Sequence, residues 1–268
     1  MSGLNTIYIC FPGGKHKVLT FSYDDGKEED RHLVELFNTY GVKGTFHVNS
    51  GLTIGNRIPI SEYKRLYMGH EVSAHTLTHP TIARSPIEQV VLQVMEDRKR
   101  LEEAVGYPVL GMSYPNGSYS KEIMNVLPSL GIKYARTVGS SNHFSMPENF
   151  LEWKATCHHD HNLKQLGEEF VQLHKTQYLY MMYVWGHSYE FTDKNNWSVM
   201  EDFLQLVSKR EDIWYATNIE IVHYMEAAKR LLFTVSGNMV MNPSYESVWI
   251  QFNEKIYEIK GGETVFLT

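Results

Sequence analysis

The sequence predicts an α/β fold in which a parallel sheet is covered by crossover helices. Short β-branched and aromatic runs alternate with amphipathic helical stretches along most of the chain. Residues 178–185 are almost continuously apolar, as in a strand covered on both faces of a sheet. About seven strand–helix units precede residue 232. That number favours a barrel, although periodicity alone leaves an open sheet as an alternative.

The individual elements follow from local patterns. Strands are predicted at 18–23, 44–49, 70–74, 109–114, 132–137, 178–185 and 213–216. Helices are predicted at 28–40, 61–68, 86–105, 120–130, 165–176, 197–208 and 220–231. The clearest helix has Ser85 as its expected N-cap, Pro86 at its first position and Glu88 completing a capping box. Gly41 and Gly131 are placed to end two others.

The character of the chain changes near residue 232. Residues 244–252 are expected to form a strand, and residues 256–267 a hairpin around Gly261 and Gly262. We therefore expect a barrel in residues 1–231 and a small β appendage, packed on the barrel, in residues 232–268.

Composition excludes several functional classes. The chain has 268 residues, a formal net charge of −6 and no basic run, which argues against nucleic-acid binding. Cys10 and Cys157 are too few and too distant for a disulfide framework. No apolar run approaches the roughly 18 residues of a membrane span. Met1–Thr6 has no secretory pattern, so a cytoplasmic location without a membrane partner is expected.

Titratable residues follow several predicted strands. Asp24 and Asp25 follow the first strand, and His75 and His79 follow the third. The carboxyl ends of parallel strands converge, so these side chains can meet. One aspartate and two neutral imidazoles form a familiar ligand set for a catalytic metal. A simple Asp-Gly turn and two unrelated loop histidines are the alternative.

Two further histidine groups are ambiguous. His187 follows the apolar strand and is either a general acid or a loop histidine satisfied by solvent. The run Cys157–His161 contains three histidines and one aspartate. A second metal site is one interpretation of this run, and a solvated or pocket-rim loop is the favoured one.

The combined motifs resemble those of the polysaccharide deacetylases, carbohydrate esterase family 4. The segments that carry the resemblance are Thr20–Gly26 (TFSYDDG), His75–Pro80 (HTLTHP), Tyr114–Gly117 (YPNG) and the strand ending at His187. The similarity extends over residues 15–230. It implies a distorted (β/α)7 barrel that removes N- or O-acetyl groups from sugars. It also implies a divalent metal, with zinc expected and cobalt, iron and nickel left open.

The resemblance also implies individual roles. Asp25, His75 and His79 would ligate the metal. Asp24 would be the general base that activates the metal-bound water, and His187 would protonate the leaving amine or alkoxide.

The sequence departs from the family pattern at one motif. The expected Arg-x-Pro-Tyr-Gly begins here with Ser113, so the arginine that would orient the base is missing. Arg136, at the end of the next predicted strand, is a candidate replacement, and a surface or core-edge arginine is the alternative. The backbone N–H of Asn116 would help to hold the oxyanion.

Three aromatic side chains are candidates for substrate binding: Tyr114, Trp185 and Tyr189. Trp185 stands where the family usually has an aliphatic residue. Its indole would stack on a sugar ring or simply fill the end of the barrel.

We therefore expect a metal-dependent hydrolase acting on an acetylated sugar or a related small amide. One alternative is hydrolysis of a non-sugar C–N bond, in a ureide or cyclic imide, on the same scaffold. Another is a carbohydrate-binding protein that retains the metal but has lost catalysis. Asp24 and His187 argue against the last, because a binding protein needs neither base nor acid. A homo-oligomer is left open.

Overall fold

The computed structural model describes residues 5–268, so Met1–Leu4, which contribute to the prediction of location, lie outside the described residues. The strands are β1 (Ile7–Cys10), β2 (Lys17–Asp24), β3 (Gly44–Val48), β4 (Glu71–Ala74), β5 (Gly111–Ser113), β6 (Tyr134–Ser140), β7 (Trp153–Ala155), β8 (Cys157–His158), β9 (Tyr180–Gly186), β10 (Ile213–Tyr215), β11 (Leu232–Phe233), β12 (Met239–Met241), β13 (Val248–Phe252), β14 (Lys255–Ile259) and β15 (Thr264–Phe266). The helices are α1 (Asp30–Tyr40), α2 (Tyr63–Leu66), α3 (Ile87–Val105), α4 (Lys121–Val126), α5 (Leu163–Gln172), α6 (Tyr189–Asp193), α7 (Trp197–Val207) and α8 (Asn218–Lys229).

A nine-stranded parallel sheet forms the centre of the molecule. Its strands follow the order β7-β6-β5-β4-β3-β2-β9-β8, and β10 pairs with the start of β2. The two ends of this path lie on one continuous stretch, because only Thr156 separates β7 from β8. The Thr156 N–H donates to the carbonyl of Tyr183 in β9, while its own carbonyl accepts from Asn142 N–H just beyond β6. The sheet therefore curls back on itself, and the predicted α/β barrel class is confirmed.

Local sequence explains some of the helix boundaries but not others. α1 ends at Gly41, which adopts a φ of 70° that other residues disfavour. The capping box predicted for α3 is wrong. Pro86 occupies the N-cap position with an extended backbone, so the helix begins one residue later, at Ile87, without a side-chain cap. No helix among residues 5–268 combines the length and apolarity needed to cross a membrane.

The C-terminal strands form two small antiparallel sheets. The predicted hairpin around Gly261 and Gly262 is wrong, because the strands on either side of it, β14 and β15, join different sheets. The actual hairpin joins β13 to β14 through Asn253 and Glu254, both with positive φ. β1 pairs with β13, so the first strand of the chain belongs to this region. The division at residue 232 stays a prediction.

A buried carboxylate lies inside the barrel. Glu71 of β4 accepts hydrogen bonds from Tyr134 Oη at 2.6 Å, Thr45 Oγ1 at 2.9 Å and the Ile219 N–H at 2.9 Å. Burial nevertheless raises the pKa of Glu71 to about 7, because the three donors only partly replace lost hydration. The folded protein therefore binds a proton at Glu71 more tightly than the unfolded chain does.

Glu71→Gln should remove this pH dependence. In wild type, the tighter proton binding at Glu71 adds to the free energy of unfolding. This contribution is complete below the unfolded pKa of 4.5 and is lost as pH rises through about 7. The variant's stability relative to wild type should therefore improve from about pH 4 to about pH 8, by at most about 3 kcal/mol. Urea unfolding of both proteins at both pH values measures this difference in stability. Glu246→Gln, at an exposed carboxylate, is the control. A pH-independent difference between wild type and the Glu71→Gln variant would contradict the prediction.

Candidate metal centre

Two strand-end loops carry the predicted metal ligands. Asp24 is the last residue of β2, and Asp25 follows with a φ of 82°. His75 follows β4, and the same loop places Thr76 and His79 at φ values of 64° and 58°. Left-handed backbone at a non-glycine residue costs of order 1–3 kcal/mol and clusters at functional sites. Three such residues in two adjoining loops indicate that the loops are held in shape for the side chains they present.

Asp25, His75 and His79 come together as the sequence predicts. Their potential ligand atoms all lie within 4.8 Å of one another. His79 Nε2 lies 4.0 Å from Asp25 Oδ1, and the two imidazole rings are 4.7 Å apart at an angle of 66°. One carboxylate oxygen and two imidazole nitrogens match the donors that divalent transition metals prefer. The donor set therefore fits a divalent metal ion.

Ser113 links His75 to Asp24. His75 Nδ1 lies 2.7 Å from Ser113 Oγ and 3.0 Å from the Ser113 carbonyl. Because the carbonyl can only accept, Nδ1 carries the proton, and the lone pair of Nε2 is free to bind a metal ion. The Ser113 hydroxyl in turn donates to Asp24 Oδ1 at 3.1 Å. The residue that replaces the family arginine thus orients a candidate ligand and also contacts the candidate base.

A buried aspartate holds the loop that carries His75. Asp97 of α3 accepts hydrogen bonds from the His75 N–H at 3.0 Å and from the Ser50 N–H and hydroxyl at 2.8 and 2.6 Å. Burial raises the pKa of Asp97 to about 6 despite these bonds. Asn49 Nδ2 donates to the carbonyls of His75 and Thr76 at 2.6 and 2.8 Å. These bonds maintain the left-handed turn after His75.

Arg136 forms a buried ion pair with Asp24. The arginine is fully buried, its guanidinium contacts the Asp24 carboxylate, and it lies 4.4 Å from the centre of the Trp185 ring. Burial alone would raise the pKa of Asp24. Arg136, together with His75 and His47, instead holds this pKa well below its usual range. The structure thus brings Arg136 to the candidate base rather than to the surface.

His187 lies at the end of β9 beside Glu190. Its backbone N–H donates to Glu190 Oε2 at 3.2 Å, and its Nδ1 lies 3.5 Å from the same oxygen. Burial lowers the pKa of His187, but Glu190, Asp24 and Asp25 outweigh burial and raise it. The neighbouring carboxylates thus make His187 easier to protonate than a free histidine.

The remaining predicted residues have different placements. Asn116 is exposed in a left-handed turn with a φ of 55°. Trp185 is 7% exposed beneath the Arg136 guanidinium, and Tyr189 is half-buried. The substrate contact predicted for Tyr114 is not supported. Its ring is fully buried and its hydroxyl donates to the Leu151 carbonyl at 2.8 Å, so it is part of the core.

The sequence reasoning missed several supporting residues. Asp97 could have been found, because it falls on the apolar face of α3 between Val94 and Leu101. The Arg57 guanidinium contacts both the backbone carbonyl and the carboxylate of Asp25. Arg57 lies in an irregular loop, and no sequence motif marks it. His47 in β3 is fully buried, and burial lowers its pKa to about 3.

The run Cys157–His161 was expected to be a solvated or pocket-rim loop, and the structure exposes only its second part, Asp160 and His161. His158 and His159 are 9% and 1% exposed, and only the following residues reach solvent. Cys157 is fully buried, and burial raises the pKa of its thiol to about 12, so it offers no thiolate at neutral pH. His158, His159 and Asp160 instead group with Glu190 in a second cluster of donor atoms.

Comparison with known proteins agrees with the motifs. Residues 12–135 match the family model described as polysaccharide deacetylase. Nearly half of the chain is thus similar to the polysaccharide deacetylases. Peptidoglycan-N-acetylglucosamine deacetylase PgdA of Listeria monocytogenes serotype 1/2a is 26% identical over 110 residues, which are 40% of this chain. The match covers 23% of that relative, less than a quarter of its length.

Solved structures share the fold at low sequence identity. A Mycobacterium smegmatis protein described as a polysaccharide deacetylase is 16% identical, with a TM-score of 0.63 over 82% of this chain and 94% of its own. Puue allantoinase is 12% identical, with a TM-score of 0.63 over 79% of this chain and 91% of its own. The two likenesses establish the architecture of the chain.

Arg136→Met should destabilise the protein by about 3–5 kcal/mol, because it leaves the Asp24 carboxylate buried without its partner. The double variant Asp24→Asn/Arg136→Met should be less destabilised than the single Arg136 variant, since it removes that charge. Urea unfolding at neutral pH measures both.

Arg84→Met, at an exposed arginine, is the matched control and should change stability by no more than about 0.5 kcal/mol. An Arg136 variant as stable as this control would show that the ion pair contributes nothing. So would a double variant whose destabilisation equals the sum of those of the single variants Arg136→Met and Asp24→Asn, the latter measured in the same way.

Proposed function

We propose that the chain is a metal-dependent hydrolase that removes acetyl groups from an N- or O-acetylated sugar or a related small amide. The observation that carries the proposal is the placement of the Asp25, His75 and His79 donor atoms beside the Asp24–Arg136 ion pair, with His187 near by. Ligands, a candidate base and a candidate acid are thus gathered at one end of one sheet. The family relationship supports the same class of reaction.

Asp25, His75 and His79 would hold the metal. A divalent ion bound there would act as a Lewis acid on the acyl carbonyl and would lower the pKa of a bound water. Arg57 approaches the Asp25 carboxylate at 3.6 Å, and Ser113 fixes the tautomer of His75. The Ser113 contact leaves Nε2 of His75 unprotonated, as metal binding requires. Zinc is the expected ion, with cobalt, iron and nickel as alternatives.

Asp24 would accept the proton of the attacking water. Arg136 keeps the Asp24 carboxylate ionised, and Ser113 and Arg136 each hold one of its oxygens. The base is therefore fixed in position before the substrate arrives, which reduces reorganisation during the reaction. We propose Arg136 as a positioning residue that performs the role of the missing motif arginine.

His187 would protonate the leaving nitrogen or oxygen. The carboxylates around it raise its pKa, which is the direction of shift that suits a general acid. The Asn116 N–H would help to stabilise the oxyanion, and Trp185 and Tyr189 would border the bound sugar. Hydrolysis of a ureide or cyclic imide uses the same acid and base, so a substrate screen must include both classes.

His79→Ala should remove one equivalent of bound metal relative to wild type, because a single carboxylate and a single imidazole remain in this cluster. Metal content is measured by mass spectrometry after loading with zinc and desalting. His174→Ala, at an exposed histidine outside the cluster, is the matched control and should retain the wild-type content. Unchanged metal content in the His79 variant would contradict the assigned ligand set.

Asp24→Asn and His187→Ala should each lower kcat by about 10²–10⁴-fold while metal content stays at the wild-type level. The assay is acetate release from N-acetylglucosamine oligomers and acetylated xylo-oligosaccharides, with ammonia or urea release from a cyclic ureide run in parallel.

Asp193→Asn changes another aspartate of the chain and should leave the rate unchanged. Loss of metal in the Asp24 or His187 variant would contradict the proposal that these residues transfer protons and do not bind the metal. Activity on the ureide alone would replace the acetyl-sugar substrate with the alternative class.

A further inference from the structure

A second group of ligand atoms lies beside His187, whose Nδ1 is 3.5 Å from Glu190 Oε2. We propose that His159, Asp160 and Glu190 form a separate binding site for a divalent first-row transition metal ion. His159 and Asp160 follow β8 directly, and Glu190 lies in the first turn of α6. Together with His158, they offer ligand atoms that all lie within 4.8 Å of one another.

His159 is the residue that points to a ligand. It is 1% exposed, and neither ring nitrogen has a hydrogen-bond partner among residues 5–268. Its ring is stacked on Phe191 at 4.1 Å and parallel to Tyr23 at 5.8 Å. Nδ1 faces the backbone of Gly186, where an added Cβ would approach within 2.0 Å. The packing thus turns Nε2 toward the two carboxylates and leaves this nitrogen unsatisfied.

The spacing of the ligand atoms suits a metal ion better than a direct hydrogen bond. His159 Nε2 lies 3.2 Å from Glu190 Oε2 and 3.6 Å from Asp160 Oδ1. Neither approach meets the geometry of a hydrogen bond. Ligands bound at about 2.0–2.2 Å around a tetrahedral ion are about 3.3–3.6 Å apart. An ion among the three groups would therefore satisfy the buried nitrogen with small adjustments of the side chains.

The neighbouring residues hold both carboxylates in place. His158 Nδ1 accepts the Asp160 N–H at 3.2 Å, so its proton is on Nε2, which lies 3.2 Å from Glu190 Oε2. His158 is therefore a supporting residue rather than a ligand. The Lys194 ammonium contacts Asp160 Oδ2 and leaves Oδ1 facing His159. Lys194 thus offsets the charge of Asp160, and Glu190 is shared between His187, whose Nδ1 lies 3.5 Å from its Oε2, and the proposed site.

The chemistry of the donors limits the identity of the ion. One imidazole and two carboxylates suit manganese, iron, cobalt, nickel or zinc in the divalent state. Asp160 reaches solvent, so an ion has a path to the site. The fourth coordination position of a tetrahedral ion would be open to water or another small ligand.

Cobalt titration of metal-free protein tests the proposal without any activity measurement. Wild type, Glu190→Gln, Asp25→Asn/His79→Ala and the triple variant are loaded with Co²⁺ and desalted, and bound cobalt is counted by mass spectrometry. The Co²⁺ absorption spectrum is recorded in parallel. We expect two equivalents in wild type, one in Glu190→Gln, one in the double variant and none in the triple variant. His158→Gln, placed in the Asp25/His79 background, should weaken the remaining site by about tenfold or more.

Asp193→Asn, in the same helix as Glu190, is the matched control and should retain both equivalents. Where Glu190→Gln does not fold, as judged by circular dichroism, His159→Gln takes its place.

One equivalent in wild type that disappears in the Asp25/His79 variant would overturn the second site and leave the proposed deacetylase centre standing. One equivalent that survives there but disappears in Glu190→Gln would support the second site and refute the first. Two equivalents in Glu190→Gln, or none in wild type, would overturn the proposal.

Discussion

The buried ion pair between Arg136 and Asp24 is the interaction on which the arrangement of the candidate site depends. An arginine with no exposed surface is tolerated only because its charge is matched, and Asp24 supplies the match at the end of the central strand. The pairing fixes the carboxylate that Ser113 also contacts, and Ser113 in turn orients His75. One charge pair is thus linked through a hydroxyl to the first candidate metal ligand.

The fold supplies this pair with its surroundings. Parallel strands deliver Asp24, His75, Ser113, Arg136 and His187 to the same edge of the sheet, although they are far apart in sequence. The loops that follow these strands adopt costly left-handed conformations, which Asp97 and Asn49 stabilise by hydrogen bonds to the backbone. The protein thus gives up some folding stability in these loops, and in return the side chains of the site are held in place before any ligand binds.

Much of this arrangement follows from the sequence alone. The alternating strands and helices predict the parallel sheet, and the position of Asp25, His75 and His79 just after strands predicts their convergence. The same argument predicts a place near the site for Arg136, because it lies near the end of the predicted strand 132–137, the next one after Ser113. The supporting contacts are less accessible. Arg57 comes from an irregular loop, and nothing in its neighbourhood predicts contact with Asp25. The pairing of β1 with β13 joins residues some 240 positions apart, which local patterns cannot reveal.

Burial separates residues that look alike in sequence. Tyr114 and Tyr189 are both aromatic residues beside a motif, yet one lies in the core and the other is half-buried near the site. His158 and His159 sit in a polar run that reads as a surface loop, but β8 carries them inward against β9. Glu190 contacts His187 as well as this pair, so the second donor cluster adjoins the candidate acid.

A crystal structure of zinc-loaded protein, with anomalous diffraction recorded at the zinc edge, tests the central claim most directly. The account predicts a strong anomalous peak bonded to Asp25, His75 Nε2 and His79 at about 2.0–2.2 Å. Asp24 would remain paired with Arg136 and would not coordinate the ion. No peak between the two loops, or an ion bound by Asp24 with the Arg136 pair broken, would contradict it.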